Sequence, residues 1–136
     1  MNVLIDTSIW SLVLRRNQKI NENDLTKIVA DLIQDFRVRI IGPIRQEILS
    51  GISNENHCLK IQEILRSFED LVITSFEYER AAEMFNICRK NGIQGSHIDF
   101  LICAAAERYG LSIFTSDNDF KNYTKYLPLH LFKPTI

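Results

Sequence analysis

Five acidic residues lie beside apolar runs in this chain: Asp6, Glu47, Asp99, Asp117 and Asp119. Asp6 closes NVLID at residues 2–6, while Asp117 and Asp119 follow LSIFT (111–115) within FTSDNDF. In SHIDFLICAAAERYG, Asp99 precedes Phe100, Leu101, Ile102 and Cys103 and then three alanines, so its helix is expected to be buried nearly all round. In PIRQEILSG, Glu47 shares with Ile44 and Ile48 the side of a helix expected to face inward, while Arg45 and Gln46 point elsewhere. A carboxylate in such surroundings is costly unless it is paired or bound to a cation. Carboxylates gathered within a few ångströms repel one another and take up protons unless a cation neutralises them. Oxygen donors without His or Cys suit a hard ion such as Mg²⁺ or Mn²⁺. Such an ion activates water and stabilises the oxygens of an in-line attack on phosphorus, the chemistry of metal nucleases and phosphatases.

Each acid also has an ordinary structural reading. Asp6 can cap a helix, although Thr7 and Ser8 beside it can do so alone. Ser96-x-x-Asp99 fits a capping box, with the acid in a first turn that favours negative charge. Glu47 can be a helix-surface glutamate paired with a neighbouring Arg. Asp117 and Asp119 can serve turn and cap chemistry, with Thr115 and Ser116 as hydroxyls able to hold a carboxylate. What links the five is the fold that must carry them.

Short continuous apolar runs alternate with helical stripes. Strands are predicted at 2–6, 38–41, 71–74 and 111–115, with a weaker one at 130–133. Between the first two, Leu25, Ile28, Val29, Leu32, Ile33 and Phe36 form one face of an amphipathic helix. Pro43 suits the first turn of a helix running to Gly51, and Ile61, Ile64, Leu65 and Phe68 mark the next helical face. Thr74 and Glu77 make a capping box for a helix reaching about Lys90. After Asn91-Gly92, a last apolar helix runs from Ser96 to Gly110. Continuous apolar strands separated by helices indicate a mainly parallel sheet of about five strands, covered on both faces. The expectation is a single three-layer α/β/α domain over residues 1–136. Sites in such sheets lie at the carboxyl ends of the strands, where Asp6 and Asp117 fall.

At 136 residues, with 46% apolar and 24% charged residues, the chain can bury a core without staples. No apolar run approaches the roughly 20 residues of a membrane span. The opening MNVLIDTS lacks the basic region of a signal peptide. Cys58, Cys88 and Cys103 form no C-x-x-C pair, which predicts free thiols, no zinc site and a cytoplasmic location. The net charge of −1 supplies no global field to attract a polyanion. With four acids drawn to a metal, however, 16 basic residues face only 13 remaining acids.

With these residues placed, the whole chain resembles the PIN-domain ribonucleases, and within them the VapC-type toxins of toxin–antitoxin pairs. VLIDTSIW is similar to the family's first motif, with Asp6 as its acid and Ser8 as the hydroxyl beside it. PIRQEILSG resembles the second motif and supplies Glu47. GSHIDFLICAAAERYGLSIFTSDNDF resembles the third and fourth together, supplying Asp99 and Asp117, with Thr115 as the hydroxyl and Asp119-Phe120 as a frequent ending. The resemblance implies a Mg²⁺- or Mn²⁺-dependent endoribonuclease that cuts single-stranded or loop RNA, a homodimer, and a VapB-type antitoxin docking near the acidic pocket. It implies metal held by Asp6, Asp99 and Asp117, with Glu47 holding metal or orienting water and Asp119 in support. Arg15, Arg16, Lys19, Lys121 and Lys125 are candidate phosphate contacts. Trp10 can stack on a base or belong to the core, and His97 can line the rim.

Two other readings stay open at this level. A haloacid-dehalogenase-type phosphatase would need a second Asp where Ser8 stands, and a receiver domain would need paired acids before the first helix. A non-catalytic module of the same fold would keep the acids for assembly alone.

Overall fold

The computed structural model describes residues 1–14 and 20–134, with side chains except those of 20–23. Among them, β1 (Val3–Ile5) leads into α1 (Thr7–Val13) and α2 (Ile20–Gln34), and β2 (Val38–Arg39) into α3 (Gly42–Ser50) and α4 (Glu55–Leu65). Two long helices follow, α5 (Ser75–Lys90) and α6 (His97–Tyr109), then β3 (Ser112–Phe114) and the short α7 (Asp119–Tyr123).

The strands run parallel in the order β2-β1-β3, with Val3 opposite Val38 and Ser112, and Ile5 opposite Phe114. β1 is the middle strand, and Val3, Leu4 and Ile5 are fully buried. Single parallel bridges extend both edges, Ile40 to Asp70 and Ile113 to Leu131. These bridges lie beside the strand predicted at 71–74 and within the one predicted at 130–133. At the first edge, Leu71 N–H donates to Ile40 O at 2.9 Å, but the Val72 carbonyl is taken by Tyr109 Oη at 2.6 Å. Two residues later the chain enters α5.

This order decides where a site can form. From β1 the chain moves outward through β2 to Asp70, then returns across β1 to β3 and on to Leu131. Right-handed crossovers in opposite directions put helices on opposite faces of the sheet. The direction reverses between β1 and β3, so the crevice at their carboxyl ends is the expected ligand site. Those ends carry Asp6 and Thr115–Asp119.

The helices follow local chemistry. α3 begins with Pro43 in its first turn. α5 opens on the predicted box, the Glu77 carboxylate accepting from Thr74 N–H and the Thr74 hydroxyl from Phe76 N–H, both at 3.3 Å. Glu77 is buried and meets Arg108 in the last turn of α6. Burial opposes its charged form, yet hydrogen bonds from Thr74 and Arg108 outweigh it and hold the carboxyl below its ordinary range. α6 is buried continuously from Phe100 to Ala106 and ends at Gly110, whose φ of 65° is the left-handed turn glycine accepts without strain.

Some apolar positions depart from the predicted faces. Phe36 lies beyond α2 with φ 58° and is 84% exposed, and Ile64 on α4 is also exposed. Trp10 belongs to the core, edge-on to Phe68, and its Nε1 is buried without a hydrogen-bond partner. All three cysteines are free thiols. Among the described residues, no helix is long and apolar enough to cross a membrane.

Candidate metal centre

Asp6 follows β1 directly and is nearly inaccessible. It occupies the N-cap position of α1, yet its side chain caps nothing. Instead, its Oδ2 accepts two hydroxyl donors, Ser8 Oγ at 2.8 Å and Thr115 Oγ1 at 2.8 Å. Parallel pairing brings these groups together across more than a hundred residues, since Asp6 N–H donates to the Phe114 carbonyl at 2.9 Å. The Thr115 hydroxyl then accepts from Asp117 N–H at 3.0 Å, and Ser8 Oγ accepts from Ser116 N–H at 3.1 Å. The Ser8 hydroxyl, expected to cap α1, is thereby committed to the turn after β3.

Asp99 enters from the first turn of α6. Ser96 Oγ accepts from Asp99 N–H at 3.1 Å, which is one leg of the expected capping box. The carboxylate turns away from the other leg and accepts from Tyr123 Oη at 2.7 Å through Oδ2. Burial pushes the Asp99 carboxyl above its ordinary value, and the Asp117 and Asp6 carboxylates push it the same way, against hydrogen bonds from Tyr123 and Ser96. Burial and the Asp99 carboxylate together raise the Tyr123 hydroxyl, which keeps its proton as donor.

Asp117 performs turn chemistry as well, its Oδ1 accepting from Asp119 N–H at 2.9 Å. Carboxylate oxygens of Asp99, Asp117 and Asp119 lie within 4.8 Å of one another. Asp119, expected in support, is thus a member of this group. Asp6 adjoins through Thr115 and through its electrostatic effect on Asp99.

Glu47 is a correction. It is exposed rather than turned inward, and it reaches the site's edge by accepting Thr7 Oγ1 at 3.0 Å. Arg45 on the same helix is half-buried instead, and donates to the Leu65 and Phe68 carbonyls and to Asp70. Three acceptors satisfy its fork, so the helix turns Arg45 toward α4 and leaves Glu47 at the rim. His97 is exposed at the start of α6, stacked on Phe85 at 5.0 Å. Lys121 and Lys125 are exposed on and just after α7, while Arg15, Arg16 and Lys19 lie outside the described residues. Tyr123 escaped prediction. Its only signal was a position four residues after Asp119, where an aromatic residue reads as core.

The donor set consists of carboxylates alone, three of them converging and none paired with Lys or Arg among the described residues. That chemistry fits a hard divalent cation. The sequence model described as PIN domain matches residues 3–126. The chain belongs to the PIN-domain family. This PIN domain is 29% identical over 120 residues to ribonuclease VapC11 of Mycobacterium tuberculosis, spanning 87% of the chain and 88% of that relative. It is similar in fold to VapC20 of Mycobacterium tuberculosis, described as a sarcin-ricin loop cleaving toxin (TM-score 0.72, 15% identity, 95% and 99% coverage). VapBC-1 of nontypeable Haemophilus influenzae is also similar (TM-score 0.71, 17% identity, 98% of both chains).

Proposed function

We propose that this PIN domain is a metal-dependent endoribonuclease and the toxin of a VapBC-type pair. The observation that carries this reading is the convergence of Asp99, Asp117 and Asp119 within 4.8 Å, beside Asp6 at the sheet's reversal point. Asp6, Asp99 and Asp117 would hold Mg²⁺ or Mn²⁺, with Asp119 as a further ligand and Glu47 as a ligand or water-orienting group at the rim. A bound cation supplies Lewis-acid stabilisation and an activated water for hydrolysis of an RNA phosphodiester.

The chain's own residues set the geometry. Ser8 and Thr115 fix one oxygen of Asp6, Tyr123 fixes one of Asp99, and the Asp119 amide fixes one of Asp117. Thr7 steadies Glu47. Lys121 and Lys125 would meet the RNA backbone as it approaches, a contact that positions without reading sequence. The likeness to ribonuclease VapC11 supports an RNA substrate, and a VapB-type antitoxin, a homodimer and a cytoplasmic location belong to the same reading.

Purified protein should cleave RNA with Mg²⁺, stop on chelation and recover when the metal is restored. Asp6→Asn and Asp99→Asn should remain folded and lose cleavage by at least about 100-fold, the scale for losing a group acting in the transition state. Intact RNA together with phosphate released from a small ester would favour the phosphatase reading instead. Inertness toward both substrates would leave a binding module.

A further inference from the structure

The geometry points to Tyr123 as a positioning residue for Asp99, held in register by the absence of a side chain at Gly95. This inference rests on the metal-site reading above. Tyr123 is completely buried, its ring packed against Phe100 at 4.8 Å and Phe120 at 5.1 Å between centroids. A tyrosine in such a place needs a partner for its hydroxyl, and it spends that hydroxyl on Asp99 Oδ2 at 2.7 Å. Ring packing leaves the hydroxyl little freedom, so it fixes the carboxylate rather than following it.

Gly95 lies directly against that hydroxyl. A Cβ there would overlap Tyr123 Oη and lie 2.8 Å from Cζ and 2.9 Å from Phe100 Cε2. The overlapped atom ends a rigid ring enclosed by two phenylalanines, so it cannot swing aside cheaply. Any side chain at position 95 must push Tyr123 off its line to Asp99. Gly95, Tyr123 and Asp99 thus form a chain of contact from the loop before α6, through α7, into the acid cluster. Aspartate ligands oriented by a partner behind them lose about 10- to 100-fold in metal affinity or activity when that partner is removed.

The test measures Mn²⁺ affinity, by electron paramagnetic resonance of the free ion, and metal-free melting for five proteins. These are wild type, Asp99→Asn, Tyr123→Phe, Gly95→Ala, and the Tyr123→Phe/Gly95→Ala double variant. Tyr123→Phe keeps the ring and should weaken Mn²⁺ binding about 10-fold or more, with kcat on RNA falling and KM changing little. Gly95→Ala should produce a loss of the same order, and the double variant should bind no more weakly than Tyr123→Phe alone. Wild type that binds Mn²⁺ while Tyr123→Phe binds within twofold of it overturns the positioning role and leaves the metal site standing. Wild type that binds no Mn²⁺ removes the metal reading and this inference with it. Losses that multiply in the double variant overturn the link through Gly95. If Gly95→Ala fails to fold, Tyr123→Phe still decides the role of the hydroxyl.

Discussion

At the residue scale, Thr115 gathers three polar contacts on one hydroxyl. One hydroxyl donates to Asp6, lies 3.2 Å from Ser8 Oγ and accepts the Asp117 amide, joining the first acid of the chain to the turn that presents the last ones. Thr115→Val keeps the shape and removes all three contacts. It should lower RNA cleavage and Mn²⁺ affinity by roughly 10- to 100-fold. Thr115→Ser should stay within a few-fold of wild type in the same assays, and equal losses in both variants would deny the hydroxyl its role. Asp6, Asp99 and Asp117 stood out in the sequence because Asp6 and Asp99 adjoin apolar runs where a carboxylate is expensive and Asp117 lies just past a strand end. Glu47 was misread because helical phase alone did not reveal how many acceptors await Arg45 on the neighbouring face. Tyr123 was illegible, since nothing in a lone aromatic tells a buried ring from a buried ring with a task.

Elements bring their own electrostatics. α5 and α6 are fastened by Glu77 and Arg108, flanked by Arg80 bonded to Glu107 and Glu83. Because the Glu77 carboxyl titrates below its ordinary 4.5 in the fold, the folded state binds its proton less readily than the unfolded chain does. Its stabilisation is therefore complete above that ordinary value and is lost as pH falls toward the lower folded value. Thermal melting followed from pH 7 downward should show wild type losing melting temperature below about pH 4.5 more steeply than Glu77→Gln. Glu77→Gln itself should melt lower at pH 7, because it leaves Arg108 without its charged partner. Parallel acid limbs in the two proteins would remove Glu77 from the account. Thr74 and Glu77 announced this helix start in the sequence, but nothing local pointed to Arg108, whose pairing exists only once the helices pack. The extent of the sheet edges depends on packing for a related reason. β-branched residues at 71–74 read as a strand, while in the fold the neighbouring strand gives way to α3 at Gly42, just after Leu71 N–H reaches the Ile40 carbonyl.

For the whole molecule, the acid cluster is a cost in the absence of a cation, because burial and like charge both oppose ionised Asp99. Asp99→Asn should therefore raise the melting temperature of the metal-free protein. Mn²⁺ at 100 times its dissociation constant should stabilise wild type by about 2.7 kcal/mol and Asp99→Asn by far less. Scanning calorimetry with and without the ion checks both halves, and an unchanged increment in the variant would place the ion elsewhere. The α/β class and the parallel sheet were readable because alternating short runs and helical stripes admit few arrangements. Strand order was not, because it depends on pairings between residues far apart in sequence. One such pairing has a consequence in time. A ribosome adds about 5–20 residues per second, so β1 emerges early and waits seconds for β3, its neighbour in the finished sheet. Asp6 has neither Thr115 nor a companion acid until residues 99–119 have been made and folded back beside it. A nascent or prematurely ended chain lacking that segment has Asp6 without its companions, and a central strand paired on the β2 side alone. The proposed metal centre can form only after residues 99–119 have been made, which gives any partner made alongside the chain a head start.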